Sequence, residues 1–151
     1  MRPSRLGLPF LVLALTAAVS PRVSACSCSY VPDFDAALKN SQAIFLGEVI
    51  EITSAAPEFD HDVWVTFNVE TQWKGEAPTT YRLRTPATEA LCGVTFQTGS
   101  RWLVYALRSA EGTWTHACWR THTYFAEDPD LKALGAAPVV GSWGSLKVRY
   151  R

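Results

Sequence analysis

Four cysteines are the residues of this chain best suited to chemistry. Cys26, Cys28, Cys92 and Cys118 are separated by 1, 63 and 25 residues. An even number of cysteines in an exported chain indicates two disulfide bonds. Cys26 and Cys28 are too close for an unstrained bond to each other, so each is expected to pair with Cys92 or Cys118, in either arrangement. A zinc site is the rival interpretation, but the spacing lacks the paired cysteine knuckles typical of such sites.

The first 25 residues predict that the chain is exported. Residues 1–5 include two arginines, residues 6–19 form an almost unbroken apolar run, and Val23-Ser24-Ala25 supplies small residues just before Cys26. This order is typical of a signal peptide that is cleaved before Cys26, which predicts a secreted, extracellular protein. A retained membrane anchor is less favoured, because the apolar run is shorter than the roughly 20 residues that span a bilayer.

The predicted mature chain is a single, mildly acidic domain. Removal of residues 1–25 from the 151-residue chain leaves 126 residues, enough for one hydrophobic core. Of the 14 basic residues, Arg2, Arg5 and Arg22 are lost, which leaves 11 against 14 acidic residues and a net charge of −3. This balance argues against a nucleic-acid partner. We expect a monomer.

The residues that most often carry catalysis are not arranged for it. The chain contains no His-Glu-x-x-His, no Gly-x-Ser-x-Gly and no phosphate-binding glycine loop. His116 and His122 are expected to lie on one strand but too far apart to share a metal ion. The six tryptophans are interpreted as core residues, with sugar binding as the alternative. We therefore predict a protein that is not an enzyme and has neither a cofactor nor a metal site of its own.

Short strands must position the cysteines. Alternation of apolar and polar residues predicts a strand at 63–73. Residues 43–53, rich in β-branched and aromatic residues, predict a second strand with Gly47 as a bulge or close-approach point. Further strands are predicted at 81–85, with Arg82 and Arg84 facing out, at 102–107, which is apolar on both faces, and at 114–121. Two short helices are predicted, one over residues 33–41 and one capped by Asp128 and ended by Gly135. Five antiparallel strands with turns between them favour a sandwich or small barrel. Residues 136–151 form a tail whose end alternates like an edge strand.

The predicted mature start, Cys26-Ser27-Cys28, resembles the Cys-x-Cys start of tissue inhibitors of metalloproteinases, a family of netrin-like modules. Further similar segments follow in the family's order: residues 43–49 (Ala-Ile-Phe-Leu-Gly-Glu-Val), 73–75 (Trp-Lys-Gly), 85–94 (ending in Cys-Gly-Val), 102–106 and Cys118. The resemblance covers residues 26–135 and is closest to a bacterial-type, single-domain member. It implies a disulfide-stapled, five-stranded antiparallel β-barrel of the oligonucleotide-binding type, flanked by short helices. It also implies the pairings Cys26–Cys92 and Cys28–Cys118.

The same resemblance implies a function. The partner would be a zinc metalloprotease, whose active-site zinc is chelated by the α-amine and carbonyl oxygen of Cys26. Ser27 would enter the specificity pocket beside the zinc, and Cys28 would contact the cleft. A second contact strip would be formed by Glu89, Ala90 and Leu91.

The chain departs from the family in ways that keep a second function open. Ser29-Tyr30 precede the Val31-Pro32 pair, and both a third disulfide and the cysteine-rich C-terminal subdomain are missing. Residues 23–26 also fit a bacterial lipobox, which would attach a lipid to the Cys26 sulfur and anchor the protein to the cell envelope. The even cysteine count and the nearby Arg22 favour ordinary cleavage. The alternative function is a non-inhibitory netrin-like binding module, lipid-anchored at Cys26.

Overall fold

The computed structural model describes residues 26–55, 61–76 and 79–135. The predicted signal peptide (1–25) and the predicted tail (136–151) lie outside the described residues. In chain order the elements are α1 Phe34–Asn40, β1 Ala43–Ser54, β2 Asp62–Lys74, β3 Thr80–Pro86, a 3₁₀ helix Glu89–Leu91, β4 Arg101–Ser109, β5 Gly112–Trp114, β6 His122–Thr123 and α2 Pro129–Leu134. Among the described residues, no helix has the length and apolar character needed to cross a membrane.

Five of these strands close into a barrel, as the sequence predicts. The strand order is β1-β2-β3-β5-β4, and β4 pairs again with β1. The pairings are antiparallel except for a single parallel contact between β3 and β5, at Arg84 and Trp114. The two-residue β6 pairs with the first part of β4. Closure removes the exposed sheet edges that would otherwise invite pairing with another chain.

Strand β1 pairs with β2 along one edge and with β4 along the other, and its pairing with β2 is irregular. Its register against β2 shifts at three places, including one between Leu46 and Gly47. A Cβ atom at Gly47 would lie 3.0 Å from the carbonyl oxygen of Asn68 on β2. The glycine that the sequence marks as a bulge or close approach therefore allows the two backbones to come together at the bend.

The interior of the barrel is aromatic and aliphatic. Phe45, Phe67 and Tyr81 pack with ring centroids 4.8–5.4 Å apart, and Phe96 joins Phe67 to Trp102 in edge-on contacts. The remaining buried members of this cluster are Ala43, Val49, Val65, Leu83, Val94, Val104 and Ala106. They come from β1, β2, β3, β4 and the segment before β4. Side chains at alternate positions of a strand point to the same face, and here the inward faces of these four strands share one core.

Both predicted helices are present and cover the outside of the barrel. The Asp33 side chain caps α1 and the Asp128 side chain caps α2, with Pro129 at the first position of α2. Between the helices and the barrel lies a second buried cluster. Its buried members are Ala37, Ile44, Leu103 and Tyr105.

The prediction of a long fifth strand at 114–121 is wrong. Strand β5 ends at Trp114, and the chain then leaves the sheet. Thr115, which is buried, uses its hydroxyl on the carbonyl of Tyr105 (3.2 Å), and Cys118 is held by a disulfide to Cys28. These side-chain links outweigh the local strand preference, so His116 and His122 do not share a strand.

Two surface predictions are also wrong. Arg84, expected to face outward, is buried, and its guanidinium donates a hydrogen bond of 2.9 Å to the Asp62 carboxylate. Asp62 is therefore an ion-pair partner rather than a purely solvent-facing acid. The sequence alternation places Arg84 on the outer face, but its side chain is buried with its guanidinium carbon 5.7 Å from the centroid of the Trp64 ring and paired with Asp62.

Candidate functional site

The first three described residues form a segment held by two adjacent disulfide bonds, in which Cys26 is half-buried and Ser27 and Cys28 are exposed. We call Cys26-Ser27-Cys28 the N-terminal ridge. Cys26 bonds to Cys92 and Cys28 bonds to Cys118, with Cα–Cα distances of 5.2 and 5.3 Å. The two bonds lie side by side, since the Sγ atoms of Cys26 and Cys118 are 3.7 Å apart. Of the two arrangements that the spacing left open, the structure contains the one implied by the resemblance.

The loop that receives Cys26 has a tightly determined backbone. Cys92 adopts a left-handed conformation (φ 62°), and its N–H donates to the Glu89 carbonyl at 3.0 Å. Gly93 follows in a space that admits no side chain, because a Cβ atom there would lie 1.9 Å from the carbonyl oxygen of Pro86. The Cys-Gly pair thus turns the chain sharply enough to present the cysteine to the N-terminal ridge.

Further hydrogen bonds fix this loop to the barrel and to the segment that carries Cys118. The buried hydroxyl of Thr85 accepts from the N–H of Val94 at 3.0 Å. The carbonyl of Cys92 accepts from the N–H of Ala117 at 2.7 Å, one residue before Cys118. Cys92 and Cys118, the disulfide partners of the N-terminal ridge, therefore belong to one hydrogen-bonded platform, to which the ridge is attached.

His116 stabilises the second half of the platform. Its ring stacks on Trp114 with centroids 4.8 Å apart, and its Nδ1 accepts a hydrogen bond from the N–H of Cys118 at 3.2 Å. Burial lowers the pKa of His116 below its ordinary value of 6.5. A neutral ring is the form that can accept this hydrogen bond, so the low pKa and the contact with Cys118 agree.

The structure brings together the residues that the sequence singled out. Cys26, Cys28 and Glu89 line one open cleft of about 420 Å³. The Glu89 carboxylate accepts from the Thr95 hydroxyl at 3.1 Å, which orients it at the edge of this cleft. Ser27 is exposed between the two bonded cysteines. The remaining members of the predicted second strip, Ala90 and Leu91, are exposed beside Cys92, and Leu91 is 47% exposed.

Comparison with known proteins does not extend this picture. No protein-family model matches the chain, and no curated protein matches it.

Sequence reasoning missed a partly buried network of hydrogen-bonded polar residues beside this site. The network consists of Tyr105, Arg120, His122, Asp128 and Asp130. Arg120 makes two hydrogen bonds to the Asp130 carboxylate, at 2.5 and 2.7 Å, and the Tyr105 hydroxyl donates to the same carboxylate at 2.8 Å. The Asp128-Pro129-Asp130 sequence predicted a helix cap correctly, but nothing in it identifies partners that lie up to 25 residues away.

The titration behaviour of the network follows from its contacts. Burial by itself would raise the pKa of Asp130, but the hydrogen bonds from Arg120 and Tyr105 outweigh burial and hold this pKa below its ordinary value. Burial, and then the hydrogen bond to Asp130, raise the pKa of Tyr105. His122, Asp128 and Asp130 are close enough to ligate a cation, yet their oxygen and nitrogen atoms are already engaged by Arg120, Tyr105 and one another. The arrangement is a closed ion-pair network.

Proposed function

We propose that this protein is a secreted inhibitor of zinc metalloproteases that acts like the N-terminal domain of tissue inhibitors of metalloproteinases. The observation that carries the proposal is the N-terminal ridge, a Cys-Ser-Cys segment with Ser27 and Cys28 exposed, held on a hydrogen-bonded platform by two adjacent disulfides. In this proposal cleavage before Cys26 frees its α-amine at the tip of the ridge.

The chemistry of inhibition follows from the atoms of Cys26. A catalytic zinc ion keeps one coordination position open for water or substrate. The α-amine and the carbonyl oxygen of one residue form a five-membered chelate that can displace this water. The amine must be neutral to donate its lone pair, and a reference pKa of about 7.7–8.0 makes loss of its proton inexpensive near neutral pH.

The platform makes this chelate strong because it is ordered before binding. A free peptide terminus would lose backbone freedom on binding, at roughly 1–2 kcal/mol per residue. Here residues 26 and 28 are already cross-linked to Cys92 and Cys118, so most of that loss has occurred on folding. Ser27 would then project into the specificity pocket beside the zinc, with Glu89, Ala90 and Leu91 as a second contact strip.

Lipid anchoring is the competing use of the same residue. A lipid thioether on Cys26 and the Cys26–Cys92 bond require the same sulfur atom, so one molecule cannot have both. The formation of that disulfide supports ordinary cleavage and secretion. Disulfide bonds also persist mainly in oxidising compartments, which include the extracellular space.

The proposal is tested by extending the mature chain by one residue before Cys26, which removes the free α-amine of Cys26. The natively exported protein is first checked by intact mass for a free Cys26 terminus and two disulfides, and is then assayed against a panel of zinc metalloproteases. A variant that retains Ala25 places the Cys26 nitrogen in a peptide bond. We expect it to inhibit at least about 100-fold more weakly, a loss of about 3 kcal/mol in binding free energy.

The matched control carries one added alanine at its C-terminal end and keeps full potency. Equal potency of the Ala25-retaining protein would contradict zinc chelation by the amine. A lipid-shifted mass with an unpaired Cys92 would instead support the envelope-anchored binding module.

A further inference from the structure

The two disulfide bonds of the site lie close enough to exchange partners. The Sγ atoms of Cys26 and Cys118, which belong to different bonds, are 3.7 Å apart. A sulfur–sulfur bond is about 2.05 Å long, so these two atoms need to approach by only about 1.7 Å to become bonded. A thiolate released at Cys118 would therefore already lie beside the other disulfide.

Exposure differs among the four cysteines and decides where a reagent enters. Cys28 is exposed, whereas Cys26, Cys92 and Cys118 are half-buried. Cys28 also lines the open cleft of about 420 Å³ beside the N-terminal ridge, which has room for a small thiol. Thiol–disulfide exchange begins when a thiolate attacks a sulfur atom that it can reach. Cys28 is therefore the expected point of entry.

The backbone around the two bonds holds the sulfur atoms together. The carbonyl of Cys92 accepts the N–H of Ala117 at 2.7 Å, which fixes the segments that carry Cys92 and Cys118 side by side. The Sγ atoms of Cys26, Cys28 and Cys118 all lie within 4.8 Å of one another. Transfer of a bond from one sulfur to the next is then a matter of side-chain rotation within this cluster.

We propose that the paired disulfides form a thiol-exchange site, at which a small thiol such as glutathione becomes attached to Cys28. The thiolate of the reagent bonds to the Cys28 sulfur, the Cys28–Cys118 bond breaks, and its electron pair leaves with Cys118. The Cys118 thiolate then bonds to Cys26, and the electron pair of the broken Cys26–Cys92 bond leaves with Cys92. The product contains a mixed disulfide at Cys28, a Cys26–Cys118 bond and a thiol at Cys92.

The exchange balances without an oxidant or a reductant. The chain has two disulfide bonds at the start, and the product also has two, one of them shared with the reagent. One external thiol is consumed and one thiol is formed on the protein, so the proton that the reagent loses is taken up by Cys92. The small thiol is the one co-reactant that the step requires.

The exchange would regulate the inhibitor, a consequence that rests on the proposed function. Cys26 would be bonded to Cys118 instead of Cys92, and its α-amine would be displaced relative to the second contact strip at residues 89–91. The exchanged form is therefore expected to inhibit more weakly than the form with the original two bonds.

The first test follows the released thiol in the natively exported protein. The protein is incubated with reduced glutathione, the reaction is quenched with acid, and free thiols are labelled with a maleimide. Trypsin separates the peptide that carries Cys92 (residues 85–101) from the one that carries Cys118 (residues 109–120). Fragmentation of the peptide that carries both ridge cysteines (residues 26–39) locates the glutathione.

We expect glutathione on Cys28 and more label on Cys92 than on Cys118. Label confined to Cys118 would show that the bond is not passed on, and glutathione on Cys26 would show direct attack on the other disulfide. Either result, or the absence of glutathione from the protein, would overturn the proposal.

The matched control is the double variant Cys26→Ser, Cys92→Ser, which keeps the Cys28–Cys118 bond and lacks the bond that receives the transfer. Glutathione should still attach to Cys28, and the released thiol should remain on Cys118. If this variant retains the circular dichroism of the barrel but takes up no glutathione, Cys28 is not the point of entry and the proposal is overturned.

The second test needs no external thiol. Cys28→Ser leaves the Cys118 thiol beside the Cys26–Cys92 bond, so Cys26 should divide between two partners. We expect at least about one tenth of Cys26 to be bonded to Cys118, the share expected when the two pairings differ by less than about 1.4 kcal/mol. Tryptic peptide 26–39 is then found linked to 109–120 as well as to 85–101. Exclusive pairing of Cys26 with Cys92 would contradict transfer.

Both tests are independent of any protease. If the exchange occurs as expected but no metalloprotease is inhibited, the proposed function fails and the thiol-exchange site stands. If a metalloprotease is inhibited but the bonds do not exchange, the thiol-exchange site fails and the proposed function stands.

Discussion

At the scale of single residues, two histidines six positions apart have opposite environments. His122 lies between the Asp128 carboxyl group and the carbonyl of Arg120, and each of its ring nitrogens is hydrogen-bonded to one of them, at 2.5 and 2.6 Å. His116 stacks on Trp114 and accepts a hydrogen bond from the N–H of Cys118, so it is stabilised as a neutral ring. Sequence spacing treats the two residues alike, and only their partners distinguish them.

We predict that His116 makes the protein less stable as the pH falls. Its pKa in the folded protein lies below the unfolded value of 6.5, so the unfolded chain binds the proton more readily. Its contribution is therefore fully present above about pH 6.5 and is lost as the pH decreases through the folded pKa. Urea unfolding at a series of pH values should show this dependence, and His116→Phe, which keeps the stacking on Trp114, should weaken it.

The matched control is His61→Phe, at an exposed position, which should leave the pH dependence unchanged. An identical pH dependence in His116→Phe and the unmodified protein would contradict the assignment.

At the scale of elements, the end of β2 fastens both helices to the barrel. The Lys74 ammonium donates to the carbonyls of Leu38 and Lys39, at 2.6 and 2.8 Å, in the last turn of α1. The indole N–H of Trp73 donates to the carbonyl of Gly135 at 3.0 Å, just after α2. Gly75 then turns with φ +79°, where a Cβ atom would lie 2.5 Å from the carbonyl of Gln42. Trp73 and Lys74 therefore bind the ends of the two helices, and Gly75 provides a turn that has no room for a side chain.

We predict that Lys74→Met destabilises the fold by about 2 kcal/mol, because two carbonyls at the end of α1 lose a charged donor. Chemical denaturation measures the change in the free energy of unfolding. The control is Lys132→Met, whose ion pair with Glu127 is largely exposed and should contribute almost nothing. Equal effects of the two substitutions would show that Lys74 acts only as a surface charge.

At the scale of the whole molecule, the disulfides connect the start of the described chain to two distant loops. The bonds span 66 and 90 residues in sequence. In the chain-entropy model, loops of this length each restrict the unfolded chain by about 4 kcal/mol. A domain of this size has a net stability of roughly 5–15 kcal/mol, so the two bonds account for a large part of it.

We predict that the double variant Cys28→Ser, Cys118→Ser, which keeps the Cys26–Cys92 bond, lowers the free energy of unfolding by somewhat less than about 4 kcal/mol, because the remaining bond already restricts an overlapping loop. Thermal and urea unfolding of the purified variant provide the measurement, with the unmodified protein that contains both disulfides as the reference. The barrel should still form, because its core lies in β1 to β4 and the segment before β4. An unchanged free energy of unfolding would show that the unfolded chain is already compact around these cysteines.

The sequence by itself determined the class of fold and most of its elements. Alternation at 63–73 and runs of strand-forming residues located four of the five barrel strands. The one-sided apolar face of 33–41 and the cap Asp128 located both helices. These patterns are local, since each depends on residues within a few positions of one another. The cysteine count required two bonds, and the choice between the two pairings came from the family resemblance rather than from spacing.

Only the tertiary structure decided the features that depend on distant partners. It shortened β5, because Thr115 and Cys118 are bound to residues outside the sheet. It buried Arg84 beneath Trp64, and it assembled the network around His122 from residues on β4, β6 and α2. The energy of a buried charge is set by what faces it, and a sequence pattern with a short period carries no information about that neighbour.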